Sequence, residues 1–392
     1  MNRQRTQVGI VGAGPAGLTL ARLLELEGID TFVLENRSRD YVEQRIRAGV
    51  LEQRTADLLV SAGVGDRLQR DGIVHHGIEL QFDGERHRIP LSELADGRAI
   101  VIYGQTEIVK DLITARLASG FPLLFEVEGV SLHELESARP RIRFRHDGVE
   151  HELECDVVAG CDGFHGVCRP SIPEGVLSEF SRDYPYGWLG ILAEVAPSND
   201  ELVYAHHEHG FALLSLRSPK LSRLYLQCAP DEDLARWPDE RIWAELRTRL
   251  GVDGWTLAEG PILERGVTGM RSFVVEPMQY GRVFLTGDAA HIVPPTGAKG
   301  LNLAIADARL LADALVRWYR TGKDDLLGAY SSTCLRRVWR AEHFSWWMTS
   351  MLHRPPDGDR FDVKLQLAQL RYVASSHLAA ASLAENYVGL DL

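Results

Sequence analysis

Gln7-Val8-Gly9-Ile10-Val11-Gly12-Ala13-Gly14-Pro15-Ala16-Gly17 decides the fold. Gln7 to Val11 reads as a buried strand, Gly12, Gly14 and Gly17 follow it with G-x-G-x-x-G spacing, and Leu18, Ala21 and Leu24 recur at a helical period. In that context the first glycine turns the chain tightly, the second lets backbone approach a pyrophosphate, and the third lets helix pack on strand. A second apolar strand, Thr31-Phe32-Val33-Leu34, ends in Glu35, at the distance where an acid takes the ribose hydroxyls of an adenosine. The glycines alone are a weak signal. Strand, glycines, helix, strand and acid together read as a dinucleotide-binding βαβ unit.

Just beyond stand Arg37, Arg39, Arg45 and Arg47 in a chain whose net charge is −12. They are either a solvated basic segment or an anion site beside the nucleotide, with Arg45 and Arg47 near the pyrophosphate and Arg37 and Arg39 facing outward, where a second nucleotide docks. The overall negative charge argues against nucleic acid or an anionic membrane as partner. The five cysteines form an odd set without CxxC spacing, which argues against a disulfide framework or a zinc site and for buried free thiols in a reducing compartment. No metal site is expected. The first strand starts too close to Met1 for a signal peptide, and no apolar run reaches membrane-spanning length, so a cytoplasmic protein is expected.

Further along, Ile78, Leu80 and Phe82 alternate before Asp83-Gly84, a turn favoured by type I′ geometry, so residues 78–89 read as a hairpin, and a second hairpin is expected at Arg141–Leu153 around Asp147-Gly148. The run Val157 to Gly160 is an apolar strand followed by Asp162-Gly163, a motif that resembles the first in form. From Tyr186 to Gln227 short strands suggest an antiparallel sheet. Strand side chains alternate faces, so Phe211, Leu213, Ser215 and Arg217 share one side, and Arg223, Tyr225 and Gln227 share another. If the two polar faces look into one cavity, Ser215, Arg217 and Tyr225 make a carboxylate clamp with Arg217 as its bidentate fork, and Tyr204 is a phenol in reach. The alternative is a polar face on an edge strand.

Residues 232–250 look helical, and the chain returns through Arg271–Val275 to Phe284–Asn302, which reads as strand, stiff loop and helix start. Asp288 there suits a sugar or ribityl hydroxyl, and Lys299 is a positive charge able to stabilise a ring that becomes negative on reduction. Leu303, Leu310, Leu311, Leu315 and Trp318 form a helical stripe ending near Gly322, and the remainder is mostly helical, with aromatic residues at 344–347 fitting core or subunit interface. The expected fold is α/β with an α+β second domain. A Rossmann-like nucleotide domain comprises 1–75, 100–180 and 268–345; a mainly antiparallel substrate domain, 76–99 and 181–267, is inserted in it; a helical region covers 346–392.

The glycines at 12 to 17, Asp162-Gly163 and Gly287-Asp288 occur in the order shown by the single-component FAD-dependent aromatic hydroxylases, which the chain closely resembles almost from end to end. The matching stretches include 45–52, 103–107, 160–166, 288–303 and 385–389. The resemblance implies FAD bound by Gly12, Gly14, Ala16, Gly17, Glu35, Arg45, Arg47, Gln105, Asp162 and Asp288, with the backbone of Lys299, Gly300, Leu301 and Asn302 near the isoalloxazine. It implies 4-hydroxybenzoate as substrate, its carboxylate on Ser215, Arg217 and Tyr225 and its phenol at Tyr204, backed by Tyr387, with the Pro295 carbonyl approaching the same hydroxyl. His75 takes the position that passes the proton to solvent, Arg223 positions the flavin, and His165 and Arg271 serve the nicotinamide coenzyme. The implied reaction uses NADPH or NADH and O2, by way of a flavin C4a-hydroperoxide, to give 3,4-dihydroxybenzoate, in an enzyme that is typically a homodimer.

Departures are local. NADPH-using members often show arginine then glutamine where this chain has Asn36 and Arg37, so both coenzymes remain open; Ala16 replaces a serine and His206 an asparagine. Two other readings stand beside this one: a hydroxylase of another small hydroxybenzoate, and a flavoprotein that acts as an NAD(P)H oxidase or redox sensor without hydroxylating. The clamp and the paired tyrosines argue against the latter, since neither is needed to hold FAD.

Overall fold

A computed structural model describes residues 2–45 and 49–389, so Arg47 lies outside the described residues. The strand expected at Gln7–Val11 begins at Asn2 and runs to Val11. It pairs in parallel with Thr31–Leu34 on one side and Val149–Gly160 on the other. Leu123–Leu124 and Val283–Leu285 extend the two edges, also in parallel. Strands buried on both faces must be apolar throughout, which is why this layer was readable as short continuous runs. Val8, Ile10, Leu18, Val33, Val158, Leu285 and Leu311 belong to one core, covered by the helices Pro15–Leu26, Gln105–Ser119 and Gly300–Thr321.

Both expected hairpins form, Ile78–Phe82 with Glu85–Ile89 and Arg141–His146 with Val149–Gly160. Their turn residues Asp83-Gly84 and Asp147-Gly148 all have positive φ, as a type I′ turn requires.

The second sheet runs in the order 291–292, 262–276, 178–193, 221–228, 212–218, 202–205, 78–82, 85–89. It is antiparallel except where Leu202–Ala205 lies beside Ile78–Phe82. Its first long strand begins at Ser178 rather than near Tyr186, and its partner Ile262–Glu276 begins before Arg271. Ser178–Asp183 is exposed, with Phe180 its one apolar residue, so no apolar alternation announced it. The domain limits drawn at 180/181 and 267/268 therefore fall inside these two strands. The limit at 345/346 falls inside the helix Asp325–Leu352, which continues until His353-Arg354-Pro355-Pro356, where proline disfavours further helix.

One face of the second sheet, with Leu214, Leu224 and Leu226, packs on the helix Asp239–Leu250. The other face, with Leu80, Trp188, Tyr204 and Leu213, packs on the helices Arg360–Ser375 and His377–Val388. The strands Val50–Glu52, Ile73–His75 and Ile100–Ile102 form a small third sheet. Among the described residues, no helix is long and apolar enough to cross a membrane.

Candidate active site

Three loops meet at the carboxyl ends of three adjacent parallel strands. Cys161 N–H donates to the Val11 carbonyl at 2.8 Å and Thr286 N–H to the Gly160 carbonyl at 3.0 Å, which sets the loops of Gly12, Asp162 and Asp288 side by side. Gly12 has φ +107°, and a Cβ there would lie 2.3 Å from the Cys161 carbonyl oxygen; a Cβ on Gly17 would lie 2.0 Å from that of Gly12. A Cβ on Gly14 would meet nothing, so that glycine leaves an open approach to the N-terminus of Pro15–Leu26, where no side chain caps the helix. Ala16 is buried beneath this turn, against Gly287.

Glu35 accepts the N–H groups of Ala13 and Arg37, both at 2.8 Å. Asp162 accepts those of Val167 and Cys168 through Oδ2, while its Oδ1 is buried with no partner among the described residues. Burial raises its pKa, and the N–H groups oppose that rise. Gln105 opens the helix Gln105–Ser119, and Asp288 is exposed at its turn. Arg45 is exposed near the Tyr41 ring.

Residues that the motifs did not reveal hold this turn in place. Asp307 Oδ2 lies 2.6 Å from His291 Nε2 and accepts the Gly287 N–H at 3.0 Å, with both pair members buried. Burial works against a charge on His291, but Asp307 outweighs it and raises the imidazole pKa. Tyr330 donates to the Leu285 carbonyl at 2.8 Å. An acid on the apolar face of Leu303, Ala304, Ala308 and Leu311 was the available signal.

Lys299 has partners that the sequence did not announce. Its ammonium donates to Glu52 at 2.7 Å and to the Tyr387 carbonyl at 3.0 Å, so its charge is paired with a buried carboxylate. Arg337 reaches the same carboxylate at 2.9 Å. Burial lowers the Lys299 pKa, with Glu52 opposing. The Asn302 side chain likewise holds the strand Val50–Glu52, by accepting from Glu52 N–H and donating to the Val50 carbonyl. What remains for a ligand there is backbone: the helix from Gly300 to Thr321 starts without a side-chain cap, leaving the N–H groups of Gly300, Leu301 and Asn302.

The two polar strand faces do share one side of the second sheet. Tyr204 is opposite Leu213, Leu213 opposite Tyr225 and Ser215 opposite Arg223. Arg217 is mostly buried, lies against the Gly104 backbone and donates to Thr106 Oγ at 3.2 Å; burial lowers its pKa. Arg223 stands over the Tyr225 ring, and its Nη1 is buried with no partner among the described residues. Ser215 makes only a long bond, 3.4 Å, to the next carbonyl. Tyr204 and Tyr387 are each 2 % exposed, with hydroxyls 2.5 Å apart, and burial raises both pKa values.

The Pro295 carbonyl accepts from Ala298 N–H at 3.0 Å, closing a turn that leaves Ala298 at φ +53°, a left-handed conformation costly for alanine. His75 is buried on the small third sheet with neither ring nitrogen partnered among the described residues, and burial pushes its pKa down to about 4. His165 and Arg271 converge on Phe164: the imidazole packs edge-on, 4.9 Å between centroids, and the guanidinium lies 5.0 Å from the ring. Arg271 also pairs with Asp183 at 2.7 Å. Arg37 is exposed over Tyr41, and Arg39 pairs with Glu43 at 2.6 Å.

A family model described as an FAD binding domain matches residues 5–345. The p-hydroxybenzoate hydroxylase of Acinetobacter baylyi is 47% identical over 391 residues, covering 100% of this chain and 96% of that protein. The chain belongs to the p-hydroxybenzoate hydroxylase family of FAD-binding proteins.

A more distant relative, the 3-(3-hydroxy-phenyl)propionate/3-hydroxycinnamic acid hydroxylase of Mycobacterium sp. (strain JLS), is 28% identical over 77% of this chain and 52% of its own length. The fold is shared with p-nitrophenol 4-monooxygenase from Pseudomonas putida, at TM-score 0.84 and 19% identity over 100% of both chains. The family's cofactor fits the residues present. Gly14 leaves an open approach at a helix N-terminus, the orphaned Asp162 Oδ1 awaits a donor, and the uncapped Gly300–Asn302 backbone offers donors to an electron-rich ring edge.

Proposed function

We propose that the protein hydroxylates 4-hydroxybenzoate at the carbon ortho to its phenol, using NADPH or NADH and O2 to give 3,4-dihydroxybenzoate. The observation that carries this reading is the buried Tyr204–Tyr387 hydroxyl pair against the sheet face that also carries Arg217 and Arg223, the latter with a buried Nη1 unpartnered among the described residues. Tyr204 and Tyr225 stand two strands apart, roughly 10 Å, which suits one aromatic ring with a group at each end. Arg217 holds the carboxylate, aided by Ser215 and Tyr225, and Tyr204 meets the phenol. Gly12, Gly14, Ala16, Gly17, Glu35, Arg45, Arg47, Gln105, Asp162, Asp288 and the backbone of 299–302 hold FAD, with Arg223 orienting it.

Bound FAD supplies electron transfer from the coenzyme and activation of O2. The protein supplies the proton path. Tyr204 accepts the substrate's phenolic proton as it passes its own to Tyr387, so the proton moves between hydroxyls of one chemical type and Tyr204 itself stays neutral. His75, held neutral by burial, takes the proton toward solvent. The phenolate so formed is the more electron-rich ring. Burial of both tyrosines keeps water from the reacting carbon. His165 and Arg271, with Arg37 and Arg39, receive the coenzyme. The enzyme works as a cytoplasmic homodimer.

The test is chromatography of the products after incubation with 4-hydroxybenzoate, O2 and each coenzyme, beside 3-hydroxybenzoate and dihydroxybenzoates. Formation of 3,4-dihydroxybenzoate from 4-hydroxybenzoate alone supports the proposal. Product from another hydroxybenzoate, or coenzyme consumption giving only H2O2, overturns it.

A further inference from the structure

His353 ends the helix Asp325–Leu352 deep in the protein, fully buried. Its ring lies among Tyr186, Trp188 and Phe211, with centroids 5.0, 5.8 and 4.3 Å away. Both nitrogens are engaged. The Trp188 indole N–H donates to Nε2 at 2.6 Å, and Nδ1 lies 3.1 Å from the Thr349 carbonyl. An indole can only donate and a carbonyl only accept, so the imidazole is neutral with its proton on Nδ1. Burial keeps it so, pushing its pKa down to about 3.

The connection extends in two directions. Trp188 stands 4.8 Å, centroid to centroid, from Tyr225 of the carboxylate clamp. Toward the other end of the site, the Thr349 hydroxyl is hydrogen-bonded at 2.8 Å to that of Thr296, the residue after Pro295. The loop is pressed on the same helix, since a Cβ on Gly297 would lie 2.5 Å from Ser345 Oγ. A buried line therefore runs from the clamp through Trp188, His353, Thr349 and Thr296 to the Pro295 carbonyl. Gln366 braces it from behind by donating to the His353 carbonyl at 2.6 Å.

We propose that His353 is a positioning residue that fixes the spacing between the clamp and the Pro295 loop, and so places the substrate ring. The proposal rests on the function given above. His353 touches neither substrate nor cofactor in this scheme; it acts by accepting the Trp188 N–H in the interior. Without that acceptor the indole turns to find another, because an unpaired buried donor is costly. The clamp wall beside Tyr225 moves with it.

Two variants separate positioning from bulk structure. His353→Phe keeps an aromatic ring in the stack and deletes the acceptor; His353→Gln returns a side-chain carbonyl to accept from Trp188. The FAD-loaded proteins are titrated with 4-hydroxybenzoate by flavin perturbation, and 3,4-dihydroxybenzoate formed per coenzyme consumed is measured. His353→Phe is expected to raise the substrate Kd about tenfold and to lower that ratio while FAD affinity holds, and His353→Gln is expected to recover most of both. If His353→Phe folds poorly, Trp188→Phe with His353→Phe removes donor and acceptor together. Its substrate Kd should match that of Trp188→Phe alone, since the two act through one bond. Parental Kd and coupling in His353→Phe, or additive losses in the double variant, overturn the proposal alone. A parent protein that neither binds nor hydroxylates 4-hydroxybenzoate overturns the functional reading and this proposal with it.

Discussion

Replacing Glu342 by glutamine should make the protein more stable at alkaline pH and leave it little changed in acid. Glu342 is 5 % exposed, accepts from Ser272 Oγ at 2.7 Å through Oε2, and has its other oxygen buried without a partner. Burial pushes its carboxyl from 4.5 up to about 7, against the opposing pulls of Ser272, His291 and Arg182. A group whose pKa is higher in the folded than in the unfolded state binds its proton more tightly when folded. Its stabilising contribution is complete below 4.5 and is lost as pH rises through 7. At about 1.4 kcal/mol per pH unit, the loss is about 3 kcal/mol. Glutamine keeps an acceptor for Ser272 and does not titrate. Urea denaturation of both FAD-loaded proteins across pH 4.5 to 8 should show the variant gaining on the parent by up to about 3 kcal/mol, mostly between 4.5 and 7. Two parallel stability curves would refute the argument, because they would mean that Glu342 ionises as freely in the fold as outside it.

Other substitutions test the site. Arg217→Lys should raise the Kd for 4-hydroxybenzoate by roughly 10-fold or more, the loss of one charge-assisted hydrogen bond, with FAD affinity kept; an unchanged Kd in a flavin-perturbation titration removes Arg217 from the clamp. Replacing Arg37 and Arg39 by alanine should raise the KM for NADPH more than that for NADH, with Arg37 the larger contributor because Arg39 shares its charge with Glu43. Equal effects on the two coenzymes place both side chains elsewhere. Asp307→Asn should weaken FAD binding, measured by equilibrium dialysis, because it strips the buried His291 of its counter-charge beside the turn of Gly287; parental affinity would show that the turn holds its shape alone.

What was legible in the sequence was what is local. The parallel layer showed itself because Val8–Val11, Thr31–Leu34 and Val157–Gly160 are buried on both faces and therefore uniformly apolar. The polar side of the second sheet showed itself through alternation, Ser215 and Arg217 against Leu214 and Leu216. The type I′ turns carried their own Asp-Gly signal. What escaped was set by distant partners. Nothing near Lys299 says that its charge goes to Glu52, nor that Arg337 joins them, since those contacts form only when helix, loop and small sheet assemble. Asp307 and His291 each look ordinary until paired. Ser178–Asp183 has no apolar stripe, and it is a strand because Ile262–Glu276 lies beside it.

Tyr204→Phe asks whether Tyr204 ionises the substrate phenol, with Tyr387 behind it. The substitution keeps the ring packed against Phe211 and Tyr387 and deletes the hydroxyl that lies 2.5 Å from its partner. The measurement is 3,4-dihydroxybenzoate formed against NAD(P)H consumed in the presence of 4-hydroxybenzoate and O2. The expected result is that FAD and substrate still bind and coenzyme is still consumed, with most of the oxygen recovered as H2O2 and little product, and with Tyr387→Phe showing a milder form. A Tyr204→Phe protein that makes product as fast as the parent, and as tightly coupled to coenzyme, would contradict it and reduce the two tyrosines to packing.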